Sequence, residues 1–264
     1  MTKNQNYFIS ENAHLGDGVA ISPGATINGT CKIGSGCRID SGATLDPGAN
    51  ACITLEENVH IQAGAIITGN ITICRNALIQ PGAVVNRDVP PHAIVNGNPA
   101  KIVGYTGEND SPIPHQRQAP EKPGISQTSV NGVTLHKLPK VLDLRGNLTV
   151  GEFERSIPFD SKRYFLVFDV PNAEVRGEHA HRTCHQFLIC AHGQLSVVAD
   201  DGVNREEFLL DDPSIGLHLP PLTWGIQYKY SSDAVLLVFA SEYYDPEEYI
   251  RDYSEFMQLS IKDR

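Results

Sequence analysis

Ile21-Ser22-Pro23-Gly24-Ala25-Thr26-Ile27-Asn28-Gly29-Thr30-Cys31-Lys32-Ile33-Gly34-Ser35-Gly36-Cys37-Arg38-Ile39 decides the fold of the first third of this chain. Ile21, Ile27, Ile33 and Ile39 recur every six positions, with Ala25, Cys31 and Cys37 standing two places before the last three. Outward from there the step runs Ile9, Leu15, Ile21, Ile27, Ile33, Ile39, Leu45. It resumes after ten residues at Leu55, Ile61, Ile67, Ile73, Ile79 and Val85, and after ten more reaches Val95. Period six is neither the 3.6 of a helix nor the 2.0 of an ordinary strand. It suits short strands joined by tight corners, each turning one large side chain inward. Gly24, Gly36, Gly42, Gly48, Gly64 and Gly82 fall three places after an anchor, as do Asn58, Asn70 and Asn76. Gly and Asn enter positive φ at least cost, so these positions are the predicted corners.

Residues 7–105 resemble the hexapeptide-repeat acyltransferases, which fold as a left-handed parallel β-helix. Val89-Pro90-Pro91-His92-Ala93-Ile94-Val95-Asn96-Gly97-Asn98-Pro99-Ala100-Lys101 resembles that family's closing motif. The resemblance implies trimers with active sites between subunits, and acetyl-CoA lying near Asn98 and Lys101. Relatives that acetylate amino sugars carry a longer loop, whereas each interruption here adds only four residues beyond the six-residue step. His14 and His60 each precede an anchor by one position and are expected to point outward. Acyl transfer and a trimerising scaffold without chemistry both stand as readings of this domain.

The chain has 264 residues, 41% of them apolar and 20% charged, enough for packed cores in one or two domains. Its net charge of −10 disfavours binding to a nucleic-acid backbone. Met1 to Ser10 lacks the apolar run of a signal peptide, and no stretch approaches the length of a membrane span. The six cysteines form no CxxC pair and read as reduced, buried thiols of a cytoplasmic protein. Prolines and few apolar residues mark 106–136 as a linker between domains at 1–105 and 137–264.

Beyond the linker the pattern changes to short apolar runs at Tyr164–Val170, Gln186–Cys190, Gln194–Val198, Glu207–Leu210, Ile215–Leu219, Ile226–Tyr230 and Ala234–Ala240. Such spacing argues for an antiparallel sandwich or barrel. Tyr249, Ile250, Tyr253, Phe256 and Met257 predict an amphipathic helix over Asp245–Leu259.

Arg176-Gly177-Glu178-His179-Ala180-His181-Arg182-Thr183-Cys184-His185 is the densest chemical cluster. On a strand His179 and His181 share a face, and His185 could join it. The segment resembles the first metal motif of cupins, His-x-His-x3-Glu, with His185 in place of the Glu. Gly225 stands where the second motif supplies a ligand. No bound metal is therefore expected, and the imidazoles suit proton transfer.

R-G-x-H-A-H at Arg176–His181, D-D-G at Asp200–Gly202, G-L-x-L-P-P-x-x-W at Gly216–Trp224 and the Leu237–Phe256 pattern resemble the WxcM-like sugar-nucleotide 3,4-ketoisomerases. Asp143–Leu148, Ile157–Phe159 and Lys162-Arg163 extend the likeness over residues 138–258. It implies a metal-free cupin that converts dTDP-4-keto-6-deoxyglucose into a 3-keto isomer. His179 and His181 would carry the proton transfers, with Arg163 and Arg176 on diphosphate or enolate oxygens. Relatives read K-R-V-Y-Y where this chain has Lys162-Arg163-Tyr164-Phe165-Leu166, so Tyr164 is a displaced substrate-binding candidate.

The leading expectation is an all-β, two-domain dTDP-4-keto-6-deoxyhexose 3,4-ketoisomerase of deoxysugar biosynthesis. One alternative adds acetyl-CoA-dependent N-acetylation by the β-helix; another is a non-catalytic sugar-nucleotide-binding or scaffold protein. Helix trimers combined with cupin dimers close into a hexamer, with a plain trimer second.

Overall fold

The six-residue grammar appears directly in the computed structural model, which describes residues 6–107, 120–171 and 174–262. The chain divides into two compact units, Met1–Ile113 and Pro114–Arg264.

In the first unit, two- to four-residue strands stack into three parallel sheets. Phe8–Ile9, Thr26–Ile27, Thr44–Asp46, Ile66–Thr68 and Val84–Val85 make one face. Paired anchors lie one above another, as Ile27 over Leu45 and Ile39 over Ile61. From Ile27 onward the anchors are almost wholly buried, and Ala25, Cys31, Cys37, Ala43, Ala65 and Ala77 fill the space between them. Leu15, in the first coil, is 43% exposed. Positive φ occurs at Gly24, Gly36, Gly42, Gly48, Gly64, Gly82, Asn58 and Asn76. The expectation for Asn70 fails. Gly69 takes that conformation, and the Asn70 side chain accepts the Cys52 N–H at 3.1 Å. The closing motif turns at Gly97 and sends Lys101–Tyr105 back antiparallel onto Ala93–Asn96.

The second unit has two large antiparallel sheets and a two-stranded ladder of Lys140–Val141 with Leu148–Thr149. One orders the strands Gly124–Gln127, Thr134–Lys137, Ile215–Leu219, Gln186–His192, Val235–Ala240 and Arg163–Val167. The other orders Arg205–Leu210, Leu195–Asp200, Trp224–Tyr228, Arg176–His181 and Tyr249–Ile250. Leu188, Cys190, Val197, Phe208, Leu217 and Val238 interdigitate between them. Burying each large aliphatic side chain contributes about 1.5–3 kcal/mol. A smaller cluster of Leu138, Ile157, Phe187 and Ile189 covers the outer face of the six-stranded sheet.

Two expectations are corrected. Part of the linker proposed at 106–136 is sheet: Gly124–Gln127 pairs with Thr134–Lys137, which pairs with Ile215–Leu219. The rest of that stretch includes 108–119, outside the described residues. The C-terminal helix is Tyr253–Lys262 rather than Asp245–Leu259. Pro246–Glu248 is a single 3-10 turn and Tyr249–Ile250 a strand paired with Ala180–His181. Asp252 starts the helix by accepting the Glu255 N–H at 2.7 Å. Trp224 packs against Tyr253 and Phe256, and Tyr253 with Arg205 clasps the buried Asp200 carboxylate.

Candidate active site in the second unit

Strand register places the site. Arg176 pairs with Gln227, Gly177 with Ile226 and His179 with Gly225, leaving Glu178 as an extra residue. This bulge shifts parity by one. Arg176, three residues before His179, therefore joins it on the inward face, the face of Gly225 and Gln227. Gly177 has φ +83°, and a Cβ there would lie 2.5 Å from the Gly225 carbonyl oxygen. The bulge thus requires glycine.

His179 and His181 meet edge to face, ring centres 5.0 Å apart. With Cys184, Gln186, Leu219, Pro220, Thr223, Gly225 and Gln227 they line a narrow, partly open pocket of about 10 Å³, room for about one water-sized group. Nδ1 of His179 donates to the Gly177 carbonyl at 2.9 Å, and Nε2 of His181 meets the Gln186 amide nitrogen at 2.9 Å. Tyr249 covers both rings, at 4.9 Å and 4.5 Å. Arg251 stacks on that phenol, and the Arg163 guanidinium reaches its hydroxyl at 3.4 Å.

Burial disfavours the charged imidazolium here. It lowers His179, with Arg251 adding to the effect. It takes His181 down to about 3, helped by His179, Arg163 and Arg251. Both rings are neutral near pH 7, the form that can accept a proton from carbon.

Of the sequence candidates, the structure brings together His179, His181 and Arg163. Arg163 pairs with Ala240 on the inward side. Arg176 shares the inward face but is exposed, and its charge acts on the buried Tyr230 phenol. Tyr164 is corrected. It alternates with Arg163, pairs with Phe239 on the outer face and is 68% exposed, away from the imidazoles. Phe165 takes the inward position, leaving that strand without a phenol there.

His185 is corrected as well. The strand ends at His181, a turn follows, and His185 emerges on the outer face. There Nδ1 of His185 meets Nε2 of His218 at 3.0 Å, with Phe159 alongside. His218 continues through Thr134 to His136. Burial lowers all three imidazoles, His218 to about 4. Among the described residues no three His, Cys, Asp or Glu side chains form a metal-binding set. A larger cavity, about 210 Å³, is lined by Asn131, Asp201 and Pro220–Leu222. It contains neither imidazole of the pair, and Asp201 is occupied by the Asn131, Val203 and Asn204 N–H groups.

Sequence reasoning missed Tyr249 and Gln186. Tyr249 was masked by a helical spacing that begins four residues too early. Gln186 had a legible signal, a polar residue two and four places before the inward Leu188 and Cys190.

In the first unit, Nε2 of His60 lies 2.8 Å from Asp40 and Nδ1 lies 3.4 Å from Arg38, on the outer face of the helix. Asn98 and Lys101 are exposed at the closing turn.

Comparison with known proteins matches residues 131–261 to the family described as FdtA: WxcM-like, C-terminal. Residues 12–47 and 52–87 match the bacterial transferase hexapeptide repeat. A TDP-4-oxo-6-deoxy-alpha-D-glucose-3,4-oxoisomerase from Aneurinibacillus thermoaerophilus is 42% identical over 123 residues, 47% of this chain and 88% of that protein. A double mutant of the QdtA 3,4-ketoisomerase from Thermoanaerobacterium thermosaccharolyticum, solved with TDP, is 37% identical with a TM-score of 0.50. That match covers 51% of this chain and 97% of the other. Serine acetyltransferase from Salmonella typhimurium is 49% identical over 55 residues, but the match spans only 20% of it.

Proposed function

Because this chain belongs to the WxcM-like family, fused to hexapeptide repeats, we propose that its second unit is a dTDP-4-keto-6-deoxyhexose 3,4-ketoisomerase. The observation that carries the reading is the pair of neutral imidazoles held edge to face, with the Tyr249 ring packed against both. Isomerisation needs a base to take the C3 proton beside the ketone, an enediol, and return of a proton at C4. His179 and His181 supply these transfers. Arg163, beside the pair, suits the enediolate oxygen, and Arg176 at the exposed strand end suits the diphosphate. Tyr164 has no part in this arrangement. None of these steps needs a metal. Incubation with dTDP-4-keto-6-deoxyglucose, followed by NMR, should give a 3-keto sugar. An unchanged sugar overturns the reading.

A second reading, N-acetyl transfer by the first unit, is favoured by the His60–Asp40 contact, a base oriented by a carboxylate. Acetyl-CoA would lie by Asn98 and Lys101. Calorimetry with CoA tests it, and no heat at millimolar ligand leaves the helix as a scaffold.

For assembly we keep the hexamer, helix trimers joined by cupin dimers. Support comes from Arg163–Val167, an edge strand whose outer side exposes Tyr164 and Leu166, followed by exposed Phe168. An apolar edge of this kind favours pairing with another copy. Light scattering showing a monomer at micromolar concentration would contradict it. No helix among the described residues is long and apolar enough to cross a membrane, and six free thiols suit the cytoplasm.

A further inference from the structure

The hydrogen bonds of the imidazole pair differ in direction. A carbonyl oxygen only accepts, so the His179 Nδ1 contact with Gly177 puts the proton on Nδ1 and leaves a lone pair on Nε2. An amide nitrogen only donates, so the Gln186 contact makes Nε2 of His181 the acceptor and puts its proton on Nδ1. That Nδ1 is buried and has no hydrogen-bond partner among the described residues. A buried donor left unpaired weakens the fold, and it points to a group that arrives with the substrate. Gln186 is held inward by the strand that also sends Leu188 and Cys190 into the core.

We propose that Gln186 is a positioning residue that fixes His181 as the Nδ1–H tautomer, so that His179 carries the substrate's carbon proton and His181 relays its hydroxyl proton. The assignment rests on the ketoisomerase reading. It also balances. Nε2 of His179 takes the C3 proton; the C–H pair becomes the C3–C4 double bond, and the carbonyl pair moves to O4. O4 takes the Nδ1 proton of His181. In the second half, Nδ1 takes the O3 proton as the C3 carbonyl forms, and His179 returns its proton to C4. Both rings end as they began, and no outside acid or oxidant is consumed. A neutral imidazole can serve as such a donor to an enediolate, since its acidity lies near that of the enediol. The burial that lowers both rings keeps them neutral for this exchange.

The test is 15N NMR of histidine-labelled protein without substrate, with His181 assigned through His181→Asn. The proposal expects an Nδ1–H signal for His181 and an Nδ1–H signal for His179. Gln186→Leu should shift His181 toward Nε2–H. Gln186→Glu, whose carboxylate accepts, should fix Nε2–H and lower kcat about 100-fold or more with TDP binding retained. An Nε2–H ring at His181 in the unmodified protein overturns the proposal, as does wild-type kcat in a folded Gln186→Glu variant. Should Gln186→Glu fail to fold, the unmodified spectrum and Gln186→Leu still decide. If the unmodified protein fails to isomerise the sugar, the ketoisomerase reading falls, whatever the tautomer spectrum reports.

Discussion

The two units differ in how side-chain direction is set. In the β-helix each coil repeats the one below, so a residue's place in a six-residue step decides whether it is buried. Ile39 and Ile61 are both buried, while Arg38 and His60, one position earlier, lie outside. In the second unit direction depends on pairings distant in sequence and on one inserted residue. Glu178 alone moves Arg176 onto the face of His179. The first unit therefore spreads its stability over equivalent anchors, and the second concentrates chemistry where the regular pattern is broken.

The contrast is tested first at the imidazoles. His179→Asn and His181→Asn should each lower turnover by about 10²–10⁴-fold while TDP binding persists. Near wild-type turnover in both would move the chemistry elsewhere. In the helix, Ile61→Ala should cost about 2–5 kcal/mol of that unit's stability, read in its unfolding transition, with isomerase turnover unchanged at 25 °C. A parallel loss of turnover would mean the units are not independent.

Gly177→Ala forces a side chain into positive φ against Gly225, a strain of about 1–3 kcal/mol before the clash. Lowered melting of the second unit together with lowered turnover is expected; unchanged values would show that the bulge does not set the site.

Acid should weaken the second unit. His181 and His218 titrate near 3 and 4 when folded and near 6.5 when unfolded. As pH falls below about 6.5 the unfolded chain binds protons that the folded one excludes, so stability drops until pH 3–4 and then levels. Its melting temperature should be lower at pH 5 than at pH 7. Equal values would contradict the buried neutral rings. The smallest effect belongs to Tyr164→Phe, which should leave kcat within about twofold; a larger loss would bring Tyr164 back to the substrate.

Much of the architecture was legible because its periods are local. The anchors and most glycine corners lie where the spacing puts them, and the strands from Arg163 to Ala240, Arg176–His181 excepted, fall within a few residues of the apolar runs. The site was half legible. His179 and His181 share a face because they are two apart on one strand. Tyr249 was not, since helical and extended spacings coincide over so short a run, and only pairing with Ala180–His181 makes it a strand.

What the sequence by itself determined is the repeat, the change of grammar after the linker and the identity of the imidazole pair, all carried by spacings within one strand or coil. The tertiary structure decided which side of a sheet each remaining residue faces. It turned Tyr164 and His185 outward, drew Arg176 inward through a bulge, laid Tyr249 over the two rings and set Gln186 against His181. Those outcomes depend on register between distant strands, and a shift of one residue there reverses every side chain that follows.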